Sequence, residues 1–344
     1  MPDIASLSTA AIAGIFLGTA LVIALLGTRM AGLADVIADR TGLGEALIGS
    51  VLLGAGTSIA GIVTSASTAA SGAADLSVSN ALGGIAAQTM FLALADIFYR
   101  KVNLEHAAAS PVNLGQATLL IILIVLPIMA AMAPPVAFFG VHPMTPVLVV
   151  VYFLGLHNAH RIHEQPMWTP RQTDETRSEA DDECEDMRPL VLLVSMFLGL
   201  VLIVGIAGWL VGETGIALSG RLGVSGGVVG ALGTAIVTSL PELVTTVAAV
   251  RRGALQLADG GIIGGNMFDA LFIAASDVAY RDGSIYNAIS DRTVFWMALV
   301  AVMTAILLMG LLRRERRGPA SIGWESVLLI ALWGGGAALQ IALG

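Results

Sequence analysis

The chain has 344 residues, of which 56% are apolar and only 12% are charged. Soluble domains have about 45–50% apolar and about 25% charged residues, so this composition excludes a water-soluble protein. The apolar residues form long blocks, and several blocks reach the roughly 20 residues that cross the hydrocarbon core of a bilayer. We therefore predict an all-α polytopic membrane protein whose main surroundings are the lipid bilayer.

The formal net charge of −8 comes largely from one loop. Eight of the 25 acidic residues lie between Asp174 and Asp186, and the single cysteine, Cys184, lies among them. One cysteine excludes an internal disulfide. The acidic surplus therefore indicates a solvated connector, and we expect no nucleic-acid partner.

The hydropathy pattern predicts about ten transmembrane helices. We place them at residues 5–28, 45–68, 75–99, 117–139, 145–162, 189–210, 224–250, 257–280, 292–312 and 323–343. One long hydrophilic connection divides them. The predicted organisation is an N-terminal five-helix repeat (1–162), an acidic loop (163–189) and a C-terminal five-helix repeat (190–344).

The basic residues predict the orientation of these helices. If the N-terminus lies outside the cell, 14 of the 17 basic residues fall on the cytoplasmic side, and only Arg221, Arg281 and Arg292 fall outside. Cytoplasmic loops are enriched in Lys and Arg. We therefore expect a plasma-membrane protein with both termini outside and loop 163–189 in the cytoplasm.

The sequence contains an internal repeat. Residues 57–100 align without gaps on residues 238–281 at a constant offset of 181, with 14 of 44 positions identical. Five predicted spans separate the copies, and because this number is odd, the copies cross the membrane in opposite directions. Two inverted five-helix repeats are typical of secondary transporters, whose substrate site lies at the midplane where the repeats meet.

The second copy has polar residues in the middle of an apolar span. Thr238, Ser239, Pro241 and Glu242 follow one another closely. Pro241 removes a backbone donor, so nearby carbonyls lose their helical partners and become available to cations. Glu242 is costly at this depth unless something compensates its charge, which favours a cation site over a simple kinked helix.

The next span adds an amide and a second acid. Asn266 and Asp269 are three residues apart and share a helical face. With Glu242 and the neighbouring hydroxyls they form an oxygen-only ligand set. Such a set suits Na⁺, Ca²⁺, Mg²⁺ or a transported proton and argues against zinc or copper.

These residues resemble the cation/Ca²⁺ exchanger superfamily, typified by Na⁺/Ca²⁺ exchangers. Its two α-repeats usually read G-T-S-x-P-E on one helix and G-N-x-x-G-S-N-x-x-[ND] on the next. The resemblance implies that the acid after proline, Glu242, binds the transported cation, that hydroxyls and carbonyls bind Na⁺, and that the first helix of each half slides during alternating access. It implies inorganic cations as partners and no cofactor.

The first repeat departs from the family pattern. Gly56, Thr57 and Ser58 are kept, but Ala60 and Gly61 replace the Pro-Glu pair. Asn80 is kept, whereas Gln88 stands where the last amide or acid is expected. Both carboxylates thus come from the second repeat, and Na⁺ or H⁺ suits the site at least as well as Ca²⁺. The expected cation ligands are Glu242, Asp269, Asn266, Thr238, Ser239, Thr57, Ser58, Asn80 and Gln88.

The leading hypothesis is thus a secondary cation antiporter, and not an enzyme. A channel or transport-inactive relative is the main alternative. A lipid-phosphate enzyme is a weaker one, because no predicted span has a buried Arg or His to hold a phosphate. His157, His160 and His163 could bind a metal or sense pH, but we interpret them as a polar helix end.

Overall fold

The computed structural model describes residues 4–41, 47–99, 103–171, 173, 188–253, 255–316 and 322–343. The acidic stretch 174–186, with Cys184, lies outside the described residues. After a short 3₁₀ turn at Ile4–Ser6, the first half has seven α-helical segments. They are α1 (Thr9–Val22), α2 (Thr28–Thr41), α3 (Leu47–Ala70), α4 (Ala74–Phe98), α5 (Leu104–Ala108), α6 (Pro111–Met132) and α7 (Met144–Glu164). A π-helical turn, Ile23–Gly27, joins α1 to α2.

The second half repeats this order. Its segments are α8 (Leu190–Leu222), α9 (Gly226–Val228), a π-helical turn (Val229–Thr234), α10 (Ala235–Thr238), α11 (Leu240–Arg252), α12 (Leu255–Asp269), α13 (Leu271–Ala279), α14 (Ile285–Ala288), α15 (Asp291–Arg313) and α16 (Trp324–Leu343). The described residues are almost all helical, with one isolated β-bridge between Phe138 and Val141. The all-α membrane fold predicted from the sequence is confirmed.

The offset of 181 extends beyond the segment found in the sequence. Residues 9–41 form the first long helical unit. Adding 181 to its first and last residue numbers gives 190 and 222, which are the first and last residues of α8. The starts of α6 and α15, at 111 and 291, and those of α7 and α16, at 144 and 324, differ by 180, one residue short of this offset. The two halves therefore have matching helices along nearly their whole length. We call residues that differ by 181 repeat mates.

Fewer helices than ten satisfy both the length and the apolarity expected of a membrane span. Among the described residues, seven helices are long and apolar enough to span. The count is eight if the bent pair formed by 226–238 and 240–251 is taken as one span. The helices α3 and α7 are 24 and 21 residues long, which is enough to span. Of the two, α7 is the less apolar because it ends in histidines.

The helices differ in how deeply they are buried. In an apolar 18-residue stretch of α4, 94% of the residues are buried. The corresponding share is 17% in α8 and 28% within residues 9–37. The first helix of each half therefore lies at the outside of the bundle with much of its surface open to lipid. The central helix α4 packs against α3, α12 and α16.

Glycines bring the outer helices close to the site helices. A Cβ added at Gly27 would lie 2.5 Å from Cγ of Pro241, and one added at Gly208 would overlap the carbonyl oxygen of Ala60. Gly27 and Gly208 are repeat mates, and so are Ala60 and Pro241. The same close approach thus occurs once in each half.

Two buried aspartates fix opposite ends of the bundle by equivalent hydrogen bonds. Asp96 accepts hydrogen bonds from Leu104 N, Gly323 N and Ser326 Oγ, at 2.9, 3.0 and 2.9 Å. Its repeat mate Asp277 accepts from Ile285 N, His142 N and Thr145 Oγ1, at 3.0, 2.8 and 2.6 Å. The three donors at one end are the repeat mates of those at the other. Both aspartates therefore act as caps that tie helix ends together.

Candidate cation site

A pocket between the two halves collects most of the expected ligands. It is lined by Ser58, Gly61, Asn80, Gly84, Gln88, Thr238, Ser239, Glu242, Asp269 and Phe272. These residues come from α3 and α4 in the first half and from α10 to α13 in the second. The side chains close on one another and leave essentially no free space the size of a water molecule.

A broken helix positions Glu242. The segments α10 and α11 meet at Ser239 with a bend of 50°. Pro241 lies in the first turn of α11 and has no N–H, so the carbonyl of Val237 has no helical partner. In the first half Ala60 replaces Pro241, and α3 runs unbroken from Leu47 to Ala70.

Asp269 is held by donors from the first half. Ser58 Oγ donates to Oδ1 at 2.6 Å, and Gln88 Nε2 donates to Oδ2 at 2.6 Å. Gln88 Nε2 also lies 3.2 Å from Ser239 Oγ. Asp269 is 2% exposed, so these two bonds replace its hydration.

Glu242 is less satisfied than Asp269. It is 6% exposed, Thr57 is its hydrogen-bonding neighbour, and its Oε2 atom has no hydrogen-bond partner in the described part of the chain. The nearby carboxyl of Asp269 adds a repulsive charge. Neither acid forms a salt bridge with the basic side chains that the structure describes. A bound cation would therefore compensate the negative charge of these two buried carboxyls.

The two expected asparagines have different surroundings. Asn80 is fully bonded: Nδ2 donates to Gly61 O and Ser65 Oγ, and Oδ1 accepts from Thr234 Oγ1. Asn266 donates to Thr89 Oγ1 at 3.1 Å, and its Oδ1 has no partner among the residues that the structure describes.

Thr57 and Thr238, which are repeat mates, differ in their relation to the pocket. Each hydroxyl donates to the carbonyl three residues earlier, Gly54 and Ala235. Thr238 lines the pocket, whereas Thr57 borders it only through Glu242, and Asn266 does not line it.

An aromatic ring occupies the position where a first-repeat glutamate would point. A Cβ added at Gly61 would lie 2.5 Å from Cε2 of Phe272 and 3.0 Å from its Cζ. Phe272 is 3% exposed and forms part of the main core. Sequence reasoning missed this residue, although Phe91 and Phe272 are identical repeat mates. It also missed Thr89 and Thr234, the partners of the two asparagines.

The histidine cluster at the end of α7 is a polar helix end. His157 and His163 are exposed, and His160 Nε2 lies 3.3 Å from Glu164 on the next turn. Across the described residues no group of three or more His, Cys, Asp or Glu side chains has the arrangement of a metal site.

The fold and the pocket define an all-α polytopic membrane protein whose two halves enclose a buried acidic pocket. The family model described as sodium/calcium exchanger protein matches residues 11–156 and 191–342. The chain therefore belongs to the sodium/calcium exchanger family. It is a cation antiporter and not an enzyme.

Relatives and solved structures agree with this assignment. A putative antiporter, CaxA of Alkalimonas amylolytica, is 27% identical over 83% of this chain and 86% of its own length. Inner membrane protein YrbG of Escherichia coli (strain K12) is 33% identical over 33% of this chain and 35% of its own length. An H⁺/Ca²⁺ exchanger, CAX, has a similar fold, with a TM-score of 0.70, 12% identity and coverage of 96% of this chain and 86% of that one. The sodium-calcium exchanger NCX_Mj gives a TM-score of 0.59 at 20% identity, covering 96% and 99%.

Proposed function

We propose that this antiporter binds its transported cation at the midplane, at a site centred on Glu242. Asp269 is the second carboxylate. The neutral ligands are the hydroxyls of Thr57, Ser58, Thr238 and Ser239 and the amide oxygens of Asn80, Gln88 and Asn266. One ion at a time alternates with its counter-ion as the site opens to either side.

Two unpartnered oxygens of the pocket carry this proposal. Glu242 Oε2 and Gln88 Oε1 are buried and accept no hydrogen bond within the described part of the chain, and the same holds for Asn266 Oδ1 beyond the pocket lining. A buried polar atom without a partner costs about 1–3 kcal/mol, and a charged one costs more. A bound cation offsets that cost, and the described lining of the pocket contains no Lys, Arg or His side chain that could supply a positive charge.

The supply of free carboxylate oxygens favours a monovalent cation or a proton. Both oxygens of Asp269 already accept hydrogen bonds, from Ser58 and Gln88. Glu242 Oε2 is then the free carboxylate oxygen in the pocket. Ca²⁺ takes 6–8 oxygen ligands, usually with several carboxylates. We therefore propose Na⁺ or H⁺ ahead of Ca²⁺, although the similar structures include both an H⁺/Ca²⁺ and a sodium-calcium exchanger.

Alternating access in this proposal comes from sliding of the first long helix in each half. These helices contact the site helices through Gly27 and Gly208, which lie against Pro241 and Ala60. Small residues at such contacts let the backbones of the two helices approach closely. The proposed location is the plasma membrane, with both termini outside the cell. The two five-helix halves are residues 1–162 and 190–344, and the loop 163–189 between them lies in the cytoplasm.

Transport in everted vesicles tests the proposal. A Na⁺, Ca²⁺ or pH gradient is imposed in turn, and each ion is followed for the parent, Glu242→Gln and Asp269→Asn. Glu164→Gln is the matched control, because this acid lies at an exposed helix end. We expect the control to move ions at the parent rate and Glu242→Gln to lose exchange. Uniport down a gradient without a counter-ion would instead indicate the channel-like alternative, and no movement in the parent would indicate a transport-inactive relative.

A further inference from the structure

A second group of buried acids lies at the end of the bundle that Asp96 caps. Its members are Glu105, Asp259 and Glu325, and the amide of Asn103 lies beside them; each is at most 2% exposed. Glu325 and Glu105 meet beside α15, where a Cβ added at Gly310 would lie 2.8 Å from Cγ of Glu325 and 3.3 Å from Cγ of Glu105, and Asp259 is close enough to Glu105 to interact electrostatically. Asp259 lies ten residues before Asp269 on α12, about 15 Å along the helix. The group is therefore separate from the Glu242 pocket.

This group has far more acceptors than donors. Asn103 Nδ2 donates to Glu325 Oε1 at 2.7 Å. Six enclosed oxygens have no hydrogen-bond partner among the described residues: both carboxyl oxygens of Glu105, both of Asp259, Oε2 of Glu325 and Oδ1 of Asn103. Ionised carboxyls buried in this way cost much more free energy than protonated ones. At least one proton or another cation is needed here.

The hydrogen bonds of the nearby Arg314 go to backbone oxygens and not to these acids. The guanidinium of Arg314 donates to the backbone oxygens of His106 and Arg171, at 3.0 to 3.3 Å. The imidazole of His106 contacts Arg314 O and Thr173 Oγ1 instead of a carboxyl.

The fold does not require these acids. At the opposite end Asp277 makes the same three capping bonds as Asp96. There the repeat mates of Glu105, Asp259 and Glu325 are Tyr286, Val78 and Met144. One end of the bundle is thus closed without extra carboxyls, so their presence at the other end points to a role beyond helix capping.

We propose that Glu105, Asp259 and Glu325 form a proton-binding site, in which a protonated carboxyl donates to a neighbouring carboxyl oxygen. A proton fits better than a metal ion, because the described residues include no group of three or more such side chains with metal-site geometry. The proposal concerns residues outside the Glu242 pocket and does not depend on the proposed transport site.

The site gives the protein a defined dependence of stability on pH. Glu105 lies on α5, in the connection between the spans α4 and α6, and burial raises its pKa well above the usual value for glutamate. The acids facing it add to this effect: Asp259 of α12, Asp96 of α4 and Glu325 of α16. A carboxyl whose pKa is higher in the folded state stabilises the fold at low pH, and this stability is lost as pH rises through the folded pKa. The melting temperature should therefore fall at alkaline pH.

Two measurements on the full chain purified in detergent test the site. The first is the melting temperature as a function of pH for the background Glu242→Gln/Asp269→Asn, alone and combined with Glu105→Gln or Asp259→Asn. Neither carboxyl of the transport pocket then contributes a proton. The second is the infrared carbonyl band of protonated carboxyls at neutral pH. Glu164→Gln, an exposed acid, is the matched control.

We expect the alkaline fall in melting temperature to become smaller when Glu105 or Asp259 is made an amide, and the infrared band to lose intensity, with no change in the control. An unchanged pH slope together with an unchanged band would overturn the proposal. A rise in melting temperature on adding Ca²⁺, present in the background and absent with Glu105→Gln, would also overturn it by indicating a divalent-cation site. If the Glu105 variant does not fold, the Asp259 variant gives the same readouts.

Discussion

Gln88 donates a 2.6 Å hydrogen bond to Asp269, its own repeat mate. The contacts beside it are also related by the repeat. Ser58 donates to Asp269, and the repeat mate of Ser58, Ser239, lies against Gln88. The contact between Gln88 and Asp269 therefore joins equivalent positions of the two halves at the centre of the pocket. An amide at one position and an acid at the other make the two halves chemically unequal.

Replacing Gln88 by glutamate should change ion selectivity. Gln88→Glu adds a third carboxyl to the pocket and removes a donor from Asp269, so we expect Ca²⁺ to compete with the transported monovalent cation more strongly than in the parent. Competition by Ca²⁺ during Na⁺ uptake measures this. Gln165→Glu adds the same charge at an exposed site and should leave the competition unchanged. Equal Ca²⁺ competition in the parent and Gln88→Glu would contradict this view of the pocket.

The two pocket serines should contribute unequally although they are repeat mates. Ser58 donates to a carboxylate at 2.6 Å, whereas Ser239 accepts from an amide at 3.2 Å. Hydrogen bonds to charged groups contribute about 1.5–3 kcal/mol, against about 0.5–1.5 kcal/mol for neutral pairs. We expect Ser58→Ala to weaken the apparent cation affinity more than Ser239→Ala. The KM of uptake for both variants checks this, and equal effects would count against it.

Adding a side chain at Gly61 should destabilise the protein, because the new atoms would overlap the ring of Phe272. A Cβ there lies 2.5 Å from the ring, and overpacking a core typically costs about 1–3 kcal/mol. We expect Gly61→Ala to lower the melting temperature and Phe272→Leu to restore part of the loss. Gly264→Ala is the matched control, since no atom lies within 4 Å of the added Cβ. A Gly61→Ala protein as stable as the control would show that the ring is not an obstacle.

The capping aspartates should affect stability without affecting selectivity. Asp277→Asn replaces an acceptor of three hydrogen bonds by an amide, so we expect a loss of about 1.5–3 kcal/mol in the free energy of unfolding. The ratio of Na⁺ to Ca²⁺ uptake by the folded fraction should stay at the parent value. Asp282→Asn, at an exposed position, controls for the lost charge. A changed uptake ratio would assign Asp277 a role in the ion path.

The sequence predicted the helical class, the repeat offset and the broken helix at Pro241. These features depend on local signals: apolar blocks, the identities in residues 57–100 and the missing N–H of proline. The extension of the offset to the outer helices could not be predicted, because their lipid-facing residues are interchangeable. The matching contacts of Gly27 with Pro241 and Gly208 with Ala60 became visible only in three dimensions.

Glu325 shows a further limit of sequence reasoning. At the start of its span it looks like an interfacial residue, yet it is 1% exposed and bonded to Asn103. Glu105 and Asp259, which complete its surroundings, lie 220 and 66 positions away in the chain. No spacing rule relates acids on three different elements, so their convergence depends on the packing of α5, α12 and α16.

Exchange by the Glu242→Gln variant tests the central claim most directly. In everted vesicles with an imposed gradient, the parent and Glu164→Gln should exchange the transported cation at equal rates. Glu242→Gln should fold to the same yield and lose that exchange, because its amide cannot neutralise a cation. Exchange by Glu242→Gln at the parent rate would contradict the proposed site.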